Sequence, residues 1–423
     1  MSDRAVPGGI GMAAALAVYL RPRLLAVLFM GFASGLPLAL TGATLAVWLT
    51  ESGLRFSNVG LFALVGTAYN LKFLWAPLID RLPAPIPIGR RRGWALTIQL
   101  LLALALVALG HADPAVDPWR TALFAVAVAF LSASQDIVID AYRVELLKEE
   151  EQGAGAAATQ FGYRIGMLAA GAGALYVAAG FGWTAAYLAM AGLMGVGMAT
   201  VLLTPEPGES LKVTAPDGML AWLREAVVAP FADFLTRPVW WAVLLFVVLF
   251  KLGDALAGVM SSPFYVAMGF SKIEIANISK IFGVGASMVG LALGGILVYR
   301  LGILKSLLVT GVLQALSNLM FAIQAMAGYD PALLTLTIAV ENVTGAMGSA
   351  AFVAYLSSLC NIAYTATQYA LLSSFAAVAR TNLAAWGGFL VEGMGWVPFF
   401  LASTVAAVPG LLLLVFLMRR FRV

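Results

Sequence analysis

Long unbroken apolar runs, separated by short polar stretches, extend over nearly the whole chain. About 20 apolar residues rising 1.5 Å each cross a hydrocarbon core of about 30 Å, so such runs predict membrane-spanning helices. The apolar positions are continuous rather than alternating, which excludes a β-barrel. Twelve spans are predicted, at 24–50, 57–80, 94–111, 120–147, 154–180, 183–204, 238–268, 273–299, 303–327, 332–360, 363–390 and 396–418. Ser271, three residues before Glu274, reads as a capping box; Asp117-Pro118 and Asp330-Pro331 put proline in a first helical turn. The shorter run from Gly8 to Leu20 is interrupted by Arg21, Pro22 and Arg23. It reads as a cytoplasmic lead-in rather than a cleaved signal peptide.

Composition sharpens this picture into an all-α polytopic membrane protein. Of 423 residues, 62% are hydrophobic and 11% charged, whereas a soluble domain has about a quarter charged. A soluble enzyme, a nucleic-acid binder and a disordered chain are excluded. With the N-terminus in the cytoplasm, seventeen basic residues fall in cytoplasmic segments, against Arg55, Arg120, Lys272 and Lys280 opposite. That asymmetry puts both termini in the cytoplasm and accounts for the net charge of +4 without a nucleic-acid partner. Cys360 and His111 are the single cysteine and histidine, so neither a disulfide framework nor a thiol or histidine metal site is expected. No nucleophile with a base and no phosphate loop is visible. The expectation is a non-enzyme with no cofactor.

The long polar interruption at 205–237 divides the chain into halves at 1–204 and 238–423, and it carries a candidate amphipathic surface helix around Met219 to Phe234. The halves echo each other. A serine-capped second helix ends in Asp80-Arg81 or Tyr299-Arg300, followed by a short basic turn, a third helix and an Asp-Pro start. Six spans, a central linker and six spans in parallel repeat resemble the major facilitator architecture. Asp80-Arg81 followed by Gly89-Arg90-Arg91-Arg92 resembles that superfamily's signature between spans two and three, with Ala76-Pro77 in place of its leading glycine and a proline-rich insertion. The resemblance implies a cytoplasmic gate at Asp80, Arg81, Arg90 and Arg91. On span four, Asp140, Arg143 and Glu145 near the helix end read as a charge network bracing it.

Ionisable groups inside a membrane are costly unless paired or hydrated, so each one needs a reason. Arg164, Lys251 and Glu341 fall near mid-depth of spans five, seven and ten; Lys72 and Arg380 lie off-centre in spans two and eleven. Asp254 follows Lys251 by three residues, which puts both on one helix face, either as a neutralised pair or as binding and proton-coupling groups. Asp136 and Glu341, with Asp254, are the candidate proton carriers. Lys72, Arg164 and Lys251 would attract an anionic solute, and Gln135, Tyr163, Asn342, Gln368 and Tyr369 add hydrogen-bonding capacity for a bulky polar one. Glycines such as Gly166, Gly171, Gly290 and Gly294 read as close helix packing rather than nucleotide binding.

Several segments resemble the muropeptide permease (AmpG) family. They are Lys72 to Arg81 with Gly89 to Trp94, Ser134 to Tyr142, Gly153 to Ala157, Gly162 to Met167, Glu341-Asn342, Gly345 to Gly348 and Tyr364 to Ser374, in collinear order. The resemblance implies a monomeric carrier in the bacterial inner membrane, in contact with lipid. Its cargo would be N-acetylglucosaminyl-1,6-anhydro-N-acetylmuramyl peptides, anionic glycopeptides imported with protons for peptidoglycan recycling and, in some bacteria, β-lactamase induction. Two alternatives stay open: a carrier of another large anion, such as a coenzyme A thioester or a peptide, and a non-transporting sensor or assembly factor.

Overall fold

The computed structural model describes residues 20–76, 79, 82–148, 151–207, 236, 239–359 and 365–420. Within these, the side chains at 73, 152–154, 156–157, 299, 357, 365–371 and 373 lie outside the description. The lead-in before Leu20, the amphipathic segment around Met219 to Phe234, Asp80, Arg81, Cys360 and the side chains of Gln368 and Tyr369 therefore fall outside it.

Among the described residues the chain forms twelve successive helical units. They are α1 (Pro22–Thr41 and Ala43–Glu51), α2 (Phe56–Phe62 through Lys72–Leu74), α3 (Arg90–Gly110), α4 (Pro118–Leu146), α5 (Gln152–Leu168 to Gly182) and α6 (183–203). They continue as α7 (Trp240–Leu249 and Leu252–Ala267), α8 (Lys272–Glu274 through Gly283–Leu301), α9 (Ile303–Ala327), α10 (Pro331–Ser358), α11 (Thr365–Ala384 and Gly387–Met394) and α12 (Trp396–Ala406 and Val408–Arg420). Nine stretches of the described residues are long and apolar enough to cross a membrane, and one of them, Ala158–Leu203, runs to 46 residues. It doubles back at Gly182, whose φ of 85° and ψ of 170° leave the helix, so it supplies both α5 and α6. The units α2 and α11 are built from shorter pieces.

The predicted caps form. The Asp117 side chain accepts from Arg120 N at 2.9 Å, Asp330 accepts from Ala332 N and Leu333 N, and Ser271 with Glu274 makes the full capping box. The serine cap expected at α2 does not form. Arg55 is the N-cap, and Ser57 instead donates its amide and its hydroxyl, each at 2.8 Å, to Glu392 of α11. The free amides of a helix start donate to whichever carboxylate reaches them, and here that carboxylate comes from α11, far along the chain.

Lipid gives helices no hydrophobic reason to associate, so small residues and backbone contact decide their packing. A Cβ at Gly162 or Gly166 of α5 would strike the carbonyl of Leu28 or Phe32, which lets α5 lie directly on α1; Gly290 of α8 meets α10 in the same way. Two groups of helices result, α1–α6 and α7–α12, each with its own buried clusters. A further cluster joins them, with Val47, Ala172 and Leu175 of the first group packed among Met260, Phe264, Ile275 and Val391 of the second. These residues lie toward one end, here termed distal, where Gly53, Gly182, Gly269, Gly328 and Gly395 turn the chain at positive φ. The opposite, proximal end carries the first and last described residues, Leu20 and Arg420.

Candidate functional site

In the first group the site begins where α2 departs from regular helix. Leu71 has φ −98° and ψ 2°, and Lys72–Leu74 is a 3₁₀ turn. Trp75 follows it, donating from Nε1 to Ser134 Oγ at 3.0 Å and packing on Phe130 at 4.8 Å. These contacts pin the end of α2 to α4 and set Lys72 Nζ 3.7 Å from Asp136 Oδ2. The other carboxylate oxygen of Asp136 accepts from the Ser34 hydroxyl of α1. Tyr69 shares a hydrogen bond with Thr41 at 3.3 Å, and Tyr163 stands within electrostatic range of Asp136. Arg164 is exposed and makes no ion pair among the described residues. Gln135 is fully buried; its Nε2 donates to Ala33 O at 3.0 Å, so it joins α4 to α1 rather than facing open space.

In the second group the ladder of α7 stops between Leu249 and Leu252, and Lys251 sits in the break at φ −104° and ψ 9°. Its ammonium donates to Asp254 Oδ2 at 3.3 Å, to Gly345 O at 3.0 Å and to Ser349 Oγ at 3.1 Å. All three donor positions of a lysine are thereby used. Glu341, one turn before Gly345 on α10, has a different arrangement. Its Oε2 accepts from the amide of Asn342 at 2.8 Å, and Asn342 Oδ1 in turn accepts from Ser287 of α8 at 2.8 Å. Cations reach Glu341 at longer range only, from Lys251 and Lys280.

The two groups meet at the distal end. A Cβ at Gly388 of α11 would collide with the Phe56 carbonyl of α2, and Lys272 Nζ reaches Glu51 at 2.8 Å. Trp183 Nε1 donates to the same carboxylate at 2.8 Å, and Tyr176 donates to Asn277. At the proximal end several ion pairs lie inside the first group. Arg91 pairs with Glu145 at 2.7 Å and Arg90 with it at 3.3 Å, while Asp140 and Arg143 approach to 3.9 Å. Glu206 caps α3, accepting from Arg91 N at 2.7 Å and Arg92 N at 3.0 Å, with Gly89 at φ 119° leaving room for its carboxylate. Arg21 pairs with Glu151 at 2.8 Å and holds that carboxyl below the usual carboxylate range.

Sequence reasoning missed several of these groups. Lys280, inside the predicted span 273–299, counts in the sequence only toward the charge asymmetry; it lies in the π-helical turn of α8 (Ile275–Phe282), with its stem near Gly171 of α5 and its charge in range of Glu341. Its depth has a physical origin: a helix start plus two further turns reaches well below the interface. Glu206 reads as an ordinary linker residue, and Glu392 as an interfacial charge; no local signal marks either as a cap for a distant helix. Ser34 offers only a hydroxyl in an apolar run.

Comparison with known proteins places this geometry. The Major Facilitator Superfamily profile matches residues 27–381. The anhydromuropeptide permease of Escherichia coli (strain K12) is 44% identical over 403 residues, covering 94% of this chain and 80% of that one. The putative transporter AmpG 4 of Rickettsia felis is 37% identical over 410 residues, covering 95% and 98% respectively. Among solved structures, the nucleoside transporter NupG superposes with a TM-score of 0.68 at 13% identity, over 93% of this chain and 99% of that one. A bacterial homologue of the lysosomal transporter Spinster, inward-facing and unoccupied, gives 0.69 at 14% identity, over 94% and 96%. At such identities the structural likeness concerns the fold alone.

Proposed function

We propose a transport cycle from one premise: the chain belongs to the AmpG anhydromuropeptide permease family of the Major Facilitator Superfamily. It is a membrane transporter of a small molecule, not an enzyme. Its cargo is anhydro-muropeptide, imported across the bacterial inner membrane by a monomer and driven by protons. All twelve helical units cross the bilayer, both termini lie in the cytoplasm, and the segment at 205–237 links two six-helix domains. The excess of basic residues at the proximal end supports that orientation. The sealed distal end then faces the periplasm.

The observation that carries the reading is the pairing of cations and carboxylates in both groups: Lys72 with Asp136, and Lys251 with Asp254 beside Glu341. An anionic glycopeptide needs cations and hydrogen-bonding groups together, and a proton-coupled carrier needs a carboxylate that exchanges protons as the site is occupied. Glu341 suits the second role best, since a neutral amide is its hydrogen-bonding partner and no cation locks its charge. Lys72, Tyr163, Arg164, Lys251 and Asn342 serve as cargo contacts. Arg90, Arg91, Asp140 and Arg143 brace the proximal end and exchange partners when it closes. Uptake of labelled anhydro-muropeptide into proteoliposomes, with and without an inward proton gradient, tests the proposal. Gradient-dependent accumulation is expected; its absence from a folded sample overturns the reading. Competition with a coenzyme A thioester or a free peptide distinguishes another anionic cargo.

A further inference from the structure

Distal to Lys72 and Lys251, the two groups of helices border a cavity of about 520 Å³ beneath the seal. Its walls come from α1, α2, α7 and α11, two helices from each group, and they are mostly small and apolar. Gly66 and Gly258 line it, and a Cβ at either would meet nothing within 4 Å, so the chamber has free space at both. Among the described residues Arg380 is the one charged side chain in its lining.

Arg380 borders this chamber at its proximal edge, and its charge has no ion-pair partner of its own among the described residues. The guanidinium lies over the Phe352 ring, 5.7 Å from its centroid, and one N–H donates at 3.5 Å to Val247 O beside the break in α7. Of five donors, this contact uses one. Asp254 is within electrostatic range of Arg380, but its carboxylate is already bound by Lys251 at 3.3 Å. Lys251 also lies in range of Glu341, as does Lys280, so three cations face two carboxylates. The surplus positive charge stands at the floor of an apolar pocket, and a planar fork of N–H donors matches a carboxylate best.

We propose that this chamber is a subsite for the peptide end of the cargo, with Arg380 holding a peptide carboxylate. The inference rests on the import of a glycopeptide and adds its orientation. The volume falls in the usual small-molecule range of about 300–1,000 Å³, enough for one end of a disaccharide peptide. The walls select which end. A sugar buries many hydroxyls, and each one left unpartnered weakens binding, whereas a short peptide brings methyl and methylene groups with a carboxylate. The sugars then lie proximally, among Lys72, Asp136 and Asn342.

The test uses the full chain in nanodiscs and two probes: anhydro-muropeptide with free peptide carboxylates, and the same molecule methyl-esterified. The wild type is expected to bind the free acid at least about tenfold tighter than the ester, as a charge-assisted contact implies. Arg380→Gln should erase that preference and Arg380→Lys retain part of it. Gly258→Leu, which fills free space, should weaken both probes about tenfold with an unchanged melting temperature. Equal wild-type affinity for acid and ester, or a preference that survives in Arg380→Gln, overturns the subsite while leaving import intact. Gly258→Leu binding both probes like the wild type overturns it as well. Failure of the wild type to bind either probe overturns the import reading and this inference together. If Arg380→Gln does not fold, the wild-type comparison and Arg380→Lys decide.

Discussion

The two helix groups hold their charges in different ways. In α1–α6 four described carboxylates near the site or the proximal end are answered across helices: Asp136 by Lys72, Glu145 by Arg91, Glu151 by Arg21, and Glu206 by the start of α3; Asp140, paired with Arg143 within α4, is the exception. In α7–α12 the ion pair at the site lies within one helix, Lys251 with Asp254, and Glu341 has a neutral amide for a partner. Cohesion there comes from rings instead: Phe264, Phe321, Phe399 and Phe400 pack at centroid distances of 5.0 to 6.2 Å. The contrast separates two tasks. A group laced by inter-helix ion pairs resists any change of protonation, because each pair would lose its partner. A group held by apolar packing can carry a carboxylate whose charge changes without dismantling the fold.

The largest expected effect tests that division directly. Glu341→Gln should abolish gradient-driven accumulation in proteoliposomes while substrate counterflow continues; equal loss of both would make Glu341 a substrate contact or a structural group. Asp136→Asn comes next and should act mainly on stability, because it strands Lys72. The pair is partly exposed, so the cost lies between about 0–1 kcal/mol for a surface pair and about 3–5 kcal/mol for a buried one. Thermal melting of the double variant Lys72→Met with Asp136→Asn should recover most of that loss, since removing both partners leaves no unpaired charge. Glu206→Ala should cost about 1 kcal/mol, the usual worth of a helix cap, with counterflow largely preserved.

The smallest effect is in pH. Arg21 lowers the folded-state pKa of Glu151, so this pair's contribution is fully present above the ordinary glutamate range and is lost as pH falls through the depressed value. Proteolysis or hydrogen exchange at the starts of α1 and α5 should be flat from neutral pH to about pH 5 and rise only in stronger acid. Glu151→Gln should remove that acid dependence.

Legibility followed sequence distance. The caps at Asp117, Ser271 and Asp330 and the Lys251–Asp254 pair are readable because helix geometry alone brings residues three apart together. Lys72 with Asp136 is not readable as a pair, because it depends on α2 leaving its helix at Leu71 and on Trp75 docking on Ser134. The break at Lys251 lacks a proline at that position, yet it places Arg380 beside the Val247 carbonyl. Gln135, a polar residue in an apolar run, looks like a cavity group and proves to be a buried tie to Ala33. Lys280 reads as one of the basic residues of the distal side and stands in electrostatic range of Glu341.

By itself the sequence determined the medium, the helices and their charge asymmetry, since hydrocarbon admits only chains that satisfy their backbone internally and basic residues sort by side. It also determined the short list of ionisable groups that such a medium must accommodate. Only the tertiary structure decided how those groups are answered. That choice turns on helix breaks, glycine contacts and the seal of Glu51, Lys272, Ser57 and Glu392, all of which join residues far apart in the chain. A chain can be read locally for where a charge lies, but the partner that sets its chemistry arrives through packing.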